Sequence, residues 1–296
     1  MTPFDFRGLA ARPLAAATLI MIAYAAGAQT LTLADLRAKT HIHGIAVDPK
    51  DGSRVYLATH HGFFVVSADG QATRVSQDTN DYMGFTPHPT DPSVLFASGH
   101  PAGGGNLGFI VSHDGGQSWR QISTGVRGPV DFHQMDISKA DANVIYGAFG
   151  GLQVSHDGGK SWKLSGSLPD GLIDLAASAV ATDRLYAATK GGLLYSKDAG
   201  TTWRPAHFRI SAATMVQTGH KGEVYAFIIG LGLLRTLEPE LRWEIVSKSF
   251  GDRYLLHLAA DPGDPRRLYV VTNDKQVLAS ADNGVSWVEL GGTGSE

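Results

Sequence analysis

The octapeptide Ser155-His156-Asp157-Gly158-Gly159-Lys160-Ser161-Trp162 carries the organisation of this chain. Its form, Ser-x-Asp-x-Gly-x-x-Trp, returns at Ser112–Trp119, Ser196–Trp203 and Ser280–Trp287. A worn copy runs from Thr236 to Trp243 and keeps the hydroxyl residue and the tryptophan. All five tryptophans sit in these copies. The chemistry is that of a hairpin turn. The carboxylates of Asp114, Asp157, Asp198 and Asp282 can accept backbone N–H bonds, glycine allows positive φ, and the rings of Trp119, Trp162, Trp203 and Trp287 can pack back over the turn.

Working outward from these turns, the chain repeats from about residue 40 with a period of about 40 residues. Each unit opens with a short strand, passes a polar turn often written Asp-Pro, and enters a second strand with an aromatic: Tyr56, Phe96, Tyr146, Tyr186, Tyr225 or Tyr269. A Gly-rich loop leads to a third strand, such as Gly151–Ser155, and the octapeptide turn to a fourth, such as Ser161–Leu164. Four strands per unit in a tandem array is the pattern of a β-propeller. Six units start near residues 41, 81, 131, 172, 213 and 255; the first keeps only Ser67 and Asp69 of the turn motif. The expected fold is all-β, a six-bladed propeller of four-stranded antiparallel blades. Thr30–Thr40 is too short for a seventh blade and is expected as an edge strand or as a short helix against the last blade.

The turn motif is the Asp-box, or BNR repeat, and with four intact copies the chain resembles the Asp-box β-propellers. That group includes sialidases and many secreted proteins of unknown activity, and proteins that look like this one are often labelled glycosyl hydrolases. In sialidases, three arginines clamp the substrate carboxylate beside a Tyr–Glu nucleophile and an Asp acid. Carry-over fails here. Phe208-Arg209-Ile210 resembles the sialidase Phe-Arg-Ile-Pro motif, but Ser211 replaces the proline and three Asp-boxes precede it. No Arg, and none of Glu223, Glu238, Glu240 or Glu244, falls in an inner column of the repeat.

Composition bounds the rest. The chain has 296 residues, 43% hydrophobic and 18% charged, enough to build a core. Its 36 glycines suit a turn-rich protein. A net charge of −3 without a basic run argues against nucleic-acid binding. Residues 1–28 read as a signal peptide: Arg7 and Arg12, an apolar run from Leu14 to Ala25, and Ala26-Gly27-Ala28 before a cut. The run is shorter than the about 20 residues of a membrane span, so the mature chain, 29–296, is expected without one. With no cysteine, neither a lipoprotein anchor nor a disulfide can form; the chain reads as a single periplasmic or secreted domain.

Aligning the units on their strand-two aromatic places His43, Met83 and His133 in one column, 13 residues before it, and an allowance for shorter turns continues the column with Asp174, Met215 and His257. Two residues earlier stand His41, Asp81 and Asp131, and residues two apart on a strand share a face. Four residues after the aromatic come His60, followed by His61, and His100. In a propeller the first strand is innermost, so these nine residues of units one to three should meet at one mouth of the central channel. Imidazole, carboxylate and thioether groups ligate transition metals; Met83 tilts the balance from zinc toward copper. Asp174 and His257 are weaker members. The same groups could instead hold a small ligand or water.

Three functions remain open at this level. One is a metal-binding propeller. A second is a glycoside hydrolase with Asp81 and Asp131 as its carboxylates, about 5–5.5 Å apart for retention or about 6.5–9.5 Å for inversion. The third is a scaffold that binds a protein partner, as the photosystem assembly propellers of this architecture do.

Overall fold

The computed structural model describes residues 30–292, and the expected signal peptide lies outside them. The described residues form six antiparallel sheets in sequence order around a central channel. Innermost strands are Ile42–Val47, Asp81–Pro87, Met135–Ile137, Leu172–Ala177, Ala213–Thr218 and Leu255–Ala260. Each touches its neighbours round the ring. All six aromatics expected on second strands are found there. The third blade's inner strand starts only at Met135, so Asp131 and His133 lie in an irregular segment that feeds it.

The intact Asp-boxes share their Ser and Asp bonds, and the Trp Nε1 donates to the box glycine carbonyl in three of the four, Trp203 turning to Ser167 O instead. In blade three the Ser155 hydroxyl donates to Asp157 Oδ1 and accepts from Gly159 N, while Ser161 donates N–H to Oδ1 and O–H to Oδ2. These bonds hold the Asp157 carboxyl down to about 2. Trp162 Nε1 donates to Gly159 O at 3.0 Å, and its ring lies 5.3 Å from that of Phe109 in blade two. The fifth position must be glycine for two reasons. Its φ is +83°, and a Cβ there would stand 2.0 Å from Phe109. The box therefore closes its own hairpin and the seam to the preceding blade.

Blade five shows what replaces a box. Thr236-Leu237-Glu238 stands where the others read Ser-x-Asp. Glu238, one methylene longer, leaves its own turn and accepts from Ser178 Oγ (2.5 Å), Ala179 N (3.0 Å) and Tyr186 OH (2.9 Å) in blade four. Thr236 Oγ1 is left buried without a partner. The seam is still stapled, from the other direction.

The segment before blade one provides both expected elements. Thr30–Thr32 pairs with Gln71–Arg74 as a fifth, outermost strand of blade one. Helix Leu33–Lys39 follows, capped by Thr32 Oγ1 accepting from Asp35 N. Leu33 and Leu36 are buried with Tyr269, Val271 and Leu290 of blade six. Arg37 pairs with Glu289 at 2.5 Å. Among the described residues the first and last blades exchange no strand; this segment and the contact of their inner strands close the ring. Among the described residues no helix is long and apolar enough to cross a membrane.

Candidate metal centre

The expected cluster divides into two triads, each across a seam between blades. At the first seam, His60 Nδ1 lies 2.5 Å from Asp81 Oδ2, and His43 Nε2 lies 3.6 Å from Asp81 Oδ1. His43 and His60 come from blade one, Asp81 from the start of blade two. At the second seam, His100 Nε2 and His133 Nε2 lie 2.9 Å and 2.7 Å from Asp131 Oδ2. His100 comes from blade two, Asp131 and His133 from blade three. Within each triad one donor atom per residue falls within 4.8 Å of the others. The seams share one pair: a His at the end of strand two (His100) or just after it (His60) meets an Asp at the entry to the next blade.

Local structure explains the placement. Asp81 and His100 are direct partners across the first two strands of blade two, so the two triads are neighbours. Gly99 between them has φ +120° and would drive a Cβ to 2.0 Å from Asp81 O. The long loop Pro101–Leu107 also has a role, for Gly105 O accepts from His100 Nδ1 at 2.8 Å. That bond consumes the ring's Nδ1–H and aims Nε2 at Asp131, the orientation a ligating imidazole takes from a backbone carbonyl. A neutral ring so held would turn a lone pair toward a carboxylate. A positive centre at that place, a proton or a metal ion, removes the repulsion.

The donor sets fit an ion by a second criterion. His43 Nε2, Asp81 Oδ1 and Asp131 Oδ1 are buried without a hydrogen-bond partner. The Asp131 side chain is only 7% exposed, and leaving such a carboxylate oxygen unpaired is costly. Metal bonds of about 2.0–2.2 Å in a tetrahedral site put donors roughly 3.3 Å apart. The His43 Nε2–Asp81 Oδ1 separation of 3.6 Å is near that value, while the other three His–Asp contacts, at 2.5–2.9 Å, are hydrogen-bond distances that an ion would widen. Burial, followed by the nearby imidazoles His60, His257, His133 and His41, pushes His43 down to about 3. It is thus held in the neutral form that binds metal. The hydrogen bond to Asp131 moves His133 the other way, above the ordinary histidine value.

The remaining candidates belong to neither triad. His41 is exposed, its ring edge-on to His60 at 5.5 Å. His61 is exposed and bonds Thr40 Oγ1 at 3.2 Å, a partner the repeat pattern did not suggest. Met83 is buried and faces Ser98 across the strand pair. The column that joined Asp174 and His257 to His43 needs correction by one residue. Each of their strands carries a β-bulge, and the pairing sets His43 level with Ile173, Thr214 and Leu256. Asp174 and His257 correspond instead to Gly44. His43's own strand carries the same bulge, and Ile173 and Leu256 stand 13 residues before Tyr186 and Tyr269 as His43 stands before Tyr56, so the allowance for shorter turns displaced the column. Asp174 accepts backbone N–H bonds from Leu175 and, across a seam, Val216. Burial raises it to about 7 and lowers His257 to about 4. Both line a channel-mouth cavity of about 320 Å³ together with His41, His43 and His133. Asp136, which the repeat reading passed over, is a structural staple, bonded by Thr86, Lys139 and Ala177 N.

Histidines outside the cluster have ordinary roles. His88 Nδ1 accepts from Thr90 N and Asp91 N, and His207 Nδ1 from Arg209 N. Phe208 and Ile210 are 89% and 90% exposed on the loop between blades four and five.

A family model of the BNR/Asp-box repeat matches residues 153–164. None of the curated proteins matches the chain. Among solved structures, the GH74 xyloglucanase from Xanthomonas campestris is similar with a TM-score of 0.58 at 20% identity, over 88% of this chain and 46% of that one. A GH74 enzyme from Niastella koreensis gives 0.58 at 15%, over 84% and 45%. YCF48 from Cyanidioschyzon merolae gives 0.51 at 16%, over 84% and 85%. The chain spans less than half the length of the two GH74 enzymes, and at these identities the likeness is one of fold. With its repeat, its blades and these neighbours, the chain is an Asp-box (BNR-repeat) β-propeller.

Proposed function

We propose that this propeller binds a transition-metal ion at its channel mouth through the His/Asp triads of blades one to three. The observation that carries the reading is the unpartnered Asp131 Oδ1, on a side chain 7% exposed whose other oxygen faces two imidazoles. Imidazole nitrogen and carboxylate oxygen suit Zn²⁺ or Cu²⁺; the copper preference drawn from Met83 rests on a thioether that faces Ser98. Three protein ligands leave a coordination position for water or a small ligand. Export, read from residues 1–28, would let the protein collect its ion outside the cytoplasm. Elemental analysis of protein prepared without a histidine tag tests this. About one or more equivalents of zinc or copper per chain is expected, and metal-free protein that takes up neither ion overturns it.

A second reading, glycoside hydrolysis with Asp81 and Asp131 as the carboxylates, draws support from the GH74 neighbours. It predicts turnover of xyloglucan or a chromogenic glycoside that is lost in Asp81→Asn and Asp131→Asn. No turnover across such a panel removes it.

A further inference from the structure

We infer that the mouth holds two metal ions, one at each seam, rather than one ion shared by the whole cluster. The inference rests on the metal reading and adds its stoichiometry. Each triad is complete by itself, with two imidazoles and one carboxylate whose donor atoms lie within 4.8 Å, and the triads share no residue. Each has its own unpartnered buried oxygen: Asp81 Oδ1 at the first seam, beside the unpartnered His43 Nε2, and Asp131 Oδ1 at the second. A single ion could relieve one of these groups and would leave the other costly. The second triad also has its own orienting contact, His100 Nδ1 donating to Gly105 O, which presents Nε2 to Asp131 independently of blade one.

Adjacency makes the pair more than two separate sites. Asp81 of the first triad pairs directly with His100 of the second across blade two. Each triad supplies one carboxylate, which offsets part of its ion's charge and limits repulsion between the cations. The repeat supplies the His–Asp pair at each seam, and the third ligand comes from the earlier blade at the first seam (His43) and from the later blade at the second (His133).

The test is a calorimetric titration of chelator-treated full-length protein with zinc chloride. Two equivalents are expected for the parent chain. Asp81→Asn and Asp131→Asn should each bind one, and the double variant none. His60→Gln and His100→Gln repeat the test at each seam should an aspartate variant unfold, with circular dichroism reporting the fold. Asp174→Asn, outside both triads, should still bind two. One equivalent in the parent chain overturns the two-ion inference while leaving the metal reading intact. No uptake of zinc or copper by folded parent protein overturns both.

Discussion

Asp131 and Asp174 stand on neighbouring blades near the same mouth, and they are used in opposite ways. Both oxygens of Asp174 accept backbone N–H bonds, one of them from the next blade, so its chemistry is finished within the fold. Asp131 turns one oxygen to two imidazoles and leaves the other buried and unpaired. The arcs to which they belong differ likewise. At the positions of His60 and His100, later blades carry Gly150, Lys190, Ile229 and Asn273. Where Asp81 and Asp131 stand, blades four to six bring Gly171, Ala212 and Tyr254, each accepting a backbone N–H through its carbonyl. One arc has seams closed by apolar packing and backbone bonds; the other has seams with unspent donor atoms. A carboxylate at a propeller seam is thus informative only once its partners are known.

The largest expected effect breaks the comparison at its centre. Asp131→Asn should weaken metal binding by about 100-fold or more, since a ligand and its charge are lost together, while Asp174→Asn leaves affinity unchanged. Equal losses in a calorimetric titration would erase the distinction between the arcs. Next, His60→Ala should cost about 10–100-fold in affinity and the adjacent His61→Ala less than about twofold, because only His60 faces a carboxylate.

The outer rim supplies a control. Gly159→Ala should destabilise by about 2–4 kcal/mol, from a Cβ forced against Phe109 at positive φ, without changing metal content. Denaturant unfolding measures it.

The smallest effect is in pH. His43 and His257 are held neutral, at about 3 and about 4 against 6.5 unfolded. Their contribution is complete above pH 6.5 and is lost as pH falls toward those values. Asp174, raised to about 7 from 3.8, has the opposite sign: its contribution is present below 3.8 and is lost as pH rises through 7. Asp174→Asn should therefore steepen the rise of melting temperature between pH 4 and 6.5 in metal-free protein. An unchanged slope would mean that Asp174 titrates as an exposed carboxyl.

The fold was legible because its signal is repeated. Four Ser-x-Asp-x-Gly-x-x-Trp turns and six spaced aromatics set blade number and strand order. The site was legible in part, since register alone brought His43, His60, Asp81, His100, Asp131 and His133 to one mouth. Its division into two seams was not, because which side chain turns to which blade depends on three-dimensional contacts. Asp174 and His257 entered the His43 column through an allowance for shorter turns, although Ile173 and Leu256 keep His43's spacing of 13 residues to the strand-two aromatic. Glu238 was hidden for another reason: a Glu in the place of an Asp looks like a worn motif, yet its extra length carries it to Ser178 and Tyr186.

The most direct test is anomalous diffraction at the zinc edge from a crystal soaked in zinc chloride. The account predicts peaks at the first two seams, within bonding distance of Asp81 and Asp131 and of the imidazoles that face them. Peaks confined to other surfaces, with both triads unchanged and without anomalous signal, would contradict it.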